Sequence, residues 1–268
     1  MFDSHCHLHD GRMDQVREAA LARARAAGVQ GMLLAGVEAT GWAVAAALVA
    51  RDPDHIAASY GVHPQMVPSL APDAIAQQLE LLSACCAGRG PLPRPAAIGE
   101  LGLDAGCDLM RASLPAQERV FREQLALARQ HDLPVVLHVL RAHSRVLALL
   151  RADGVPACGG VVHSYSGGPH LVADYLALGL CLSFAGPVTY PGARRVQQAA
   201  RAVPQERLLV ETDAPDQTPA PHRPGPNEPA CLPAVVAALA TIRGEDPLQV
   251  ARYTEDNARR LFRLPRRA

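Results

Sequence analysis

The chain has 268 residues, about half of them apolar, with 26 basic and 26 acidic side chains and a formal net charge of zero. That length buries a sizeable core, and the charge balance argues against a broad electrostatic grip on a long duplex. Every basic residue is arginine, so Schiff-base chemistry, a P-loop of the usual form and a lysine carbamate bridging two metals are excluded.

No apolar run approaches the roughly 18 residues of a membrane span, so no membrane partner is expected. No basic segment followed by an apolar one marks a secretory signal. The seven cysteines, scattered apart from Cys85-Cys86, fit free thiols in a reducing cytoplasm.

The first element carries the most chemistry. Asp3-Ser4-His5-Cys6-His7 reads as the end of a buried strand, where alternation places Asp3, His5 and His7 in one column. Two imidazoles then stand at the open end, with a carboxylate below that could orient one of them.

A helix is expected over Met13–Ala27, a strand over Gly31–Ala35, and a helix over Gly41–Ala50 that packs Trp42. The next strand, His55–Tyr60, leads to His63, a candidate contact for substrate phosphate or else a cap of the turn before Pro64. Helix Pro72–Ala84 and a Pro/Gly-rich loop, Gly88–Pro95, precede a strand over Ala96–Gly99 that ends at Glu100. Helix Pro115–Gln130 leads to strand Pro134–His138, and helix Ser144–Ala152 to strand Gly160–His163. Helix Pro169–Leu178, strand Leu180–Phe184, helix Ala193–Ala202 and strand Leu208–Glu211 follow, the last running on to Asp213. Ala214–Pro229 holds six prolines and reads as a long ordered loop, with helices over Ala230–Arg243 and Pro247–Arg263 after it. Pro72, Pro115, Pro169 and Pro247 sit where first helical turns begin.

Eight strands alternating with helices predict a single-domain α/β protein, a (β/α)8 TIM barrel over residues 1–264 with a short tail at 265–268. A doubly wound open sheet is the alternative, but H-x-H stands where its G-x-G-x-x-G would follow the first strand.

Functional residues of a barrel collect at the C-terminal ends of its strands. Those ends carry His5, His7, Glu100, His138, His163 and Asp213, all plausible metal ligands. Imidazoles and carboxylates without thiolate suit a pair of divalent ions such as Mg, Mn or Zn. Such a pair supplies a nucleophile at neutral pH and a clamp on an in-line displacement. His5, His7 and Asp213 are assigned to one ion, His138 and His163 to the other, with Glu100 bridging; Asp213 doubles as general base. Glu211 shares the side of Asp213 and reads either as its support or as the partner of a buried arginine. Asp104 reads as a loop cap, with ligation of a further ion as its alternative, and Tyr165 as a candidate for stacking a base. His9, His55, His131, His170 and His222 read as surface or packing residues.

Taken together, these motifs resemble the TatD-type metal-dependent hydrolases, a branch of the amidohydrolase superfamily. The likeness runs through Asp3-Ser4-His5-Cys6-His7-Leu8, Gly61-Val62-His63-Pro64, Ile98-Gly99-Glu100-Leu101-Gly102-Leu103-Asp104 and Leu133-Pro134-Val135-Val136-Leu137-His138. It continues through His163-Ser164-Tyr165-Ser166-Gly167, Glu211-Thr212-Asp213-Ala214-Pro215, Asn227-Glu228-Pro229 and Asn257-Ala258-Arg259-Arg260-Leu261-Phe262.

The resemblance implies a TIM barrel, a divalent-metal site on the six residues above, and phosphodiester hydrolysis at DNA ends or on small phosphodiesters. Members act as 3′-to-5′ exonucleases or endonucleases. This chain departs from the pattern after strand five, where Leu140 replaces the usual arginine and Arg141 and His143 follow. Arg141 is therefore given the phosphate contact, and Arg223 stands where a lysine is common. A monomer is expected. Hydrolysis of amides or lactones on the same site, and metal binding without turnover, are the alternatives.

Overall fold

The computed structural model describes residues 1–265. Within them eight parallel strands pair in chain order: β1 Phe2–Cys6, β2 Gly31–Ala35, β3 Ile56–Tyr60, β4 Ala97–Asp104, β5 Val135–Leu140, β6 Gly160–Val162, β7 Leu180–Phe184 and β8 Leu208–Val210. The helices are α1 Arg17–Ala26, α2 Ala39–Arg51, α3 Pro72–Cys86, α4 Asp108–Ala112, α5 Leu114–His131, α6 His143–Asp153, α7 Val172–Ala177, α8 Arg194–Ala202, α9 Leu232–Arg243 and α10 Pro247–Leu261. This is the expected (β/α)8 barrel. Beyond β8, Asp213 N–H donates to His5 O at 2.9 Å and His7 N–H to Ala214 O at 2.7 Å, which draws the last strand onto the first. The expected tail at 265–268 lies outside the described residues from position 266 onward.

The barrel interior is layered. Phe2, Leu33, Ala57, Ala97, Val136, Val161, Cys181 and Leu209, one from each strand, pack with Ala258, Leu261 and Phe262 of α10. α10 thereby plugs the N-terminal mouth, with the rings of Phe2 and Phe262 6.4 Å apart. Each Leu, Val or Phe side chain buried this fully contributes about 1.5–3 kcal/mol. Two residues further along β5, beyond the end of β6 and beyond the end of β8 come His138, His163 and Glu211, which the strand period returns to the same face. An apolar floor thus supports a polar layer at the C-terminal mouth.

Alternation fails in β1. Phe2 belongs to the apolar layer and Ser4 Oγ lies 3.0 Å from Ser183 Oγ, yet the next residue, His5, also reaches the interior, with Nε2 3.2 Å from Glu100 Oε2. A register shift between Asp3 and Cys6 turns these neighbours to one side. Asp3 therefore does not lie beneath the imidazoles. It accepts from Thr212 N–H at 2.9 Å and Thr212 Oγ1 at 2.5 Å, tying β1 to the segment after β8. Burial pushes its carboxyl up to about 7, against those hydrogen bonds.

Other boundaries moved for local reasons. β4 runs five residues past the expected Gly99, to Asp104, where Gly102 permits close approach to β5: a Cβ there would stand 1.9 Å from His138 O. Gly61 serves likewise beside Glu100, whose carbonyl oxygen would be 2.7 Å from an added Cβ. The helix expected over Met13–Ala27 begins only at Arg17, after a short 3-10 turn, and that expected over Pro169–Leu178 divides into a 3-10 turn and α7. Two buried glutamines of α5 hold the loops over the site. Gln124 pairs with both the N–H and C=O of Val62, and Gln117 with both those of Asp104, as a neighbouring strand would.

Candidate metal centre

Glu100, 1% exposed at the mouth of the barrel, is the hub. Its Oε2 lies 3.2 Å from His5 Nε2 and 3.3 Å from His7 Nε2; its Oε1 lies 2.7 Å from His163 Nε2, 3.2 Å from His63 Nε2 and 3.4 Å from His138 Nδ1. Asp213 Oδ1 sits 3.5 Å from His5 Nε2 and 3.3 Å from His7 Nε2. The six residues expected as ligands are thus brought together. Three overlapping sets, His5–Glu100–His163, His5–His7–Asp213 and His63–Glu100–His138, each bring their ligand atoms within 4.8 Å of one another.

Hydrogen-bond partners decide which ring nitrogen faces the centre. Ala35 O, 3.0 Å from His7 Nδ1, can only accept, so neutral His7 carries its proton there and turns the Nε2 lone pair inward. Asp104 Oδ2, 3.1 Å from His138 Nε2, accepts the hydrogen bond of that ring's proton and leaves the Nδ1 lone pair for the centre. His163 directs Nε2 inward, while Nδ1 lies 3.6 Å from Glu211 Oε1. Buried His5 Nδ1 has no hydrogen-bond partner among the described residues, and its ring stacks on His163 with centroids 4.0 Å apart.

His63, expected as a phosphate contact, enters the cluster itself. Its Nδ1 accepts from Gln65 N–H at 3.1 Å, which leaves the proton of the neutral ring on Nε2, aimed at Glu100 Oε1. Burial lowers this ring to about 4, so it is neutral at pH 7 and acts as a donor. Such a ring suits an oxyanion better than a cation.

The electrostatics describe a site built for added positive charge. Burial disfavours a charged His7, but its hydrogen bond to Asp213 and the field of Glu100 lift it to about 9. At His163 the field of Glu100 outweighs burial and holds the ring well above its usual range. Burial would raise both carboxylates, yet the fields of His163, His63 and His5 keep Glu100 well below its ordinary value, and the hydrogen bond from His7 keeps Asp213 low. Clustered imidazole lone pairs and ionised carboxylates without thiolate are the donor set of a hard-to-borderline divalent cation.

The supporting residues were partly legible. Asp104 caps its loop through Gly106 N–H at 2.7 Å, as expected, but its other oxygen accepts from His138 Nε2 and Gln65 Nε2. Burial opposes its ionisation, and those hydrogen bonds prevail, holding it at about 2. Among the described residues Glu211 pairs with no arginine; it accepts from Ser164 N–H at 2.5 Å and Ser4 Oγ at 3.4 Å. Gln65 and Gln217 carried no sequence signal. Gln217 donates to Asp213 Oδ2 and accepts from Ser164 Oγ. Replacing Asp104 by alanine frees the His138 ring, and divalent-metal affinity should fall about 10–100-fold. Competition with a chromophoric chelator checks this; unchanged affinity would show that Asp104 does not orient the ring.

The expected substrate contacts divide. A cavity of about 540 Å³ opens over the cluster, with His7, His63, His163, Ser166 and Gln217 in its walls. Tyr165 lines it but is no free platform: its hydroxyl donates to Gly168 O at 2.8 Å and its ring packs on Phe184 and Tyr175. Arg141 lines a neighbouring cavity. Arg223 lies over the Tyr190 ring, 5.2 Å from its centroid, on the loop after β8. Trp42 packs, as expected, against Tyr60.

A parallel eight-stranded barrel with imidazoles and carboxylates converging at its C-terminal mouth is the architecture of metal-dependent barrel hydrolases. The sequence profile of the TatD related DNases matches residues 2–263, and the chain belongs to that family. It is 37% identical to the 3′-5′ ssDNA/RNA exonuclease TatD of Pectobacterium carotovorum, over 98% of this chain and all of the relative. It is 31% identical to the uncharacterized metal-dependent hydrolase YabD of Bacillus subtilis, over 98% of this chain and 99% of that one. Among solved structures, the TatD homolog YJJV of Escherichia coli superimposes with a TM-score of 0.89 at 32% identity, covering 99% of this chain and 98% of that one.

Proposed function

We propose that this chain is a divalent-metal-dependent phosphodiesterase that trims single-stranded nucleic acid from an end. The observation that carries the reading is the Glu100 carboxylate, whose two oxygens face five imidazoles within 3.4 Å, beside Asp213. The exonuclease activity named for its relatives supplies the substrate class. His5, His7 and Asp213 would hold one ion, His138 and His163 a second, with Glu100 between them. Bound there, the ions would activate water and offset negative charge on the phosphoryl group.

The rest falls to the protein. Asp213, ionised and held through Oδ2 by Gln217, accepts the proton of the attacking water. His63 keeps its Nε2 proton directed at Glu100 and within the cavity, where a phosphate oxygen can accept a hydrogen bond from it. Arg141, in the neighbouring cavity, and Arg223, on the loop after β8, are assigned to backbone phosphates further along the strand. The cluster is complete within one chain, so the proposed chemistry needs no residue from a second copy. Buried free thiols at Cys6, Cys85, Cys86, Cys181 and Cys231 support a reducing cytoplasm.

A substrate panel tests the reading. With Mg or Mn the protein should hydrolyse single-stranded oligonucleotides and simple phosphodiesters, and leave amides and lactones intact; the opposite preference would overturn it.

Metal uptake should also depend on pH. His7 is lifted to about 9 and therefore holds a proton at pH 7 that a cation must displace. Apparent affinity should rise as pH climbs from about 6 towards 9, with protons released on binding. Calorimetry in buffers of different ionisation enthalpy measures that release; a flat profile would contradict the assignment of His7.

A further inference from the structure

Beside the cavity over Glu100 lies a second, of about 390 Å³, at the starts of α6 and α8. The two share a wall. Leu140 and Val196 line the first cavity, while their chain neighbours Arg141 and Arg195 line the second. A hydrogen bond of 3.2 Å crosses the same wall, between His143 Nε2 on the second side and Ser166 Oγ on the first.

The ionisable lining of the second cavity is Arg141, Arg145, Arg195, His143 and His170, with no carboxylate among its lining residues. In a chain with equal numbers of acidic and basic residues, that is a local concentration of positive charge. Glu118 meets Arg145, and Arg141 donates to Gly106 O at 3.3 Å. Arg195 is exposed and pairs with no carboxylate among the described residues. Arg141 is held at φ 53°, in the left-handed region that a β-carbon disfavours, at the turn from β5 into α6. The first turn of α6 lines the cavity too, and Ala142 at its N-cap supplies no capping oxygen.

We propose that this second cavity is a phosphate subsite, which takes the backbone phosphate next to the one hydrolysed at Glu100. The proposal rests on the phosphodiesterase reading and adds the length requirement: the preferred substrate is a strand with at least two phosphates. Guanidinium groups match phosphate oxygens in a planar fork. A diester with one phosphate fills only the first cavity.

The test uses the full chain and its Arg195→Gln and Arg195→Lys variants, an exposed position where neither change disturbs the core. In chelator, binding of a fluorescein-labelled single strand of about eight nucleotides is followed by anisotropy across a salt series. Arg195→Gln should weaken binding several-fold and flatten the slope of log affinity against log salt by about 0.7; Arg195→Lys should keep the slope. With metal present, the ratio of kcat/KM for that strand to kcat/KM for thymidine 5′-p-nitrophenyl phosphate should fall about tenfold in Arg195→Gln. Unchanged affinity, slope and ratio overturn the subsite. Wild-type protein that cleaves neither substrate defeats the phosphodiesterase reading instead, and the salt slope then decides the subsite alone.

Discussion

Replacing Glu100 by glutamine should lower kcat/KM on a single-stranded oligonucleotide by about a thousandfold or more, roughly 4 kcal/mol of transition-state stabilisation. The size follows from position. One oxygen faces His5 and His7, the other His63, His138 and His163, so this carboxylate is the group shared by both halves of the cluster. Glutamine keeps the shape but replaces one oxygen with a donor, which faces imidazoles that should present lone pairs to a cation. Bound metal should fall together with activity, while thermal unfolding monitors the fold. A loss under about tenfold, with metal retained, would remove Glu100 from the centre of the chemistry.

Asp213→Asn should show the second-largest effect, a fall of about 10²–10⁴ in kcat at saturating metal. Asp213 sits at φ 57°, in the left-handed region that asparagine also tolerates, so the backbone should accept the change. What the variant lacks is an ionised oxygen to receive a proton. In the wild type the hydrogen bond from His7 and the field of His5 overcome burial and keep this carboxyl ionised below its usual range. Measuring kcat with metal in excess separates the lost base from weakened metal binding. If kcat recovers fully once metal is raised, Asp213 is a ligand only.

Much of this site could be read along the chain because barrel strands are short, apolar and end in their functional residues. His5, His7, Glu100, His138, His163 and Asp213 each close an apolar run or follow it within a few positions, and the structure converges all six. What escaped depends on contacts between distant segments. The register shift in β1 that turns both Ser4 and His5 inward is set by pairing with β2. The extension of β4 to Asp104 depends on Gly102 meeting the backbone of His138. Gln65 matters because Asp104 lies 2.7 Å from it, 39 positions away. Tyr165 looked available beside His163, but its ring is taken up by Phe184 and Tyr175. His170 read as a surface residue and is exposed, and packing of its 3-10 turn against α8 places it with Arg141 and Arg195 around one cavity.

The most direct test of the central claim is stepwise return of metal to chelated protein, with occupancy and cleavage of a 3′-labelled single strand followed together. Hydrolysis should be absent in chelator, reappear as Mg or Mn is added, and rise with occupancy until about two ions are bound per chain. Folded protein that fills its metal sites yet leaves the strand intact, or cleaves it equally well in chelator, would contradict a metal-dependent phosphodiesterase centred on Glu100.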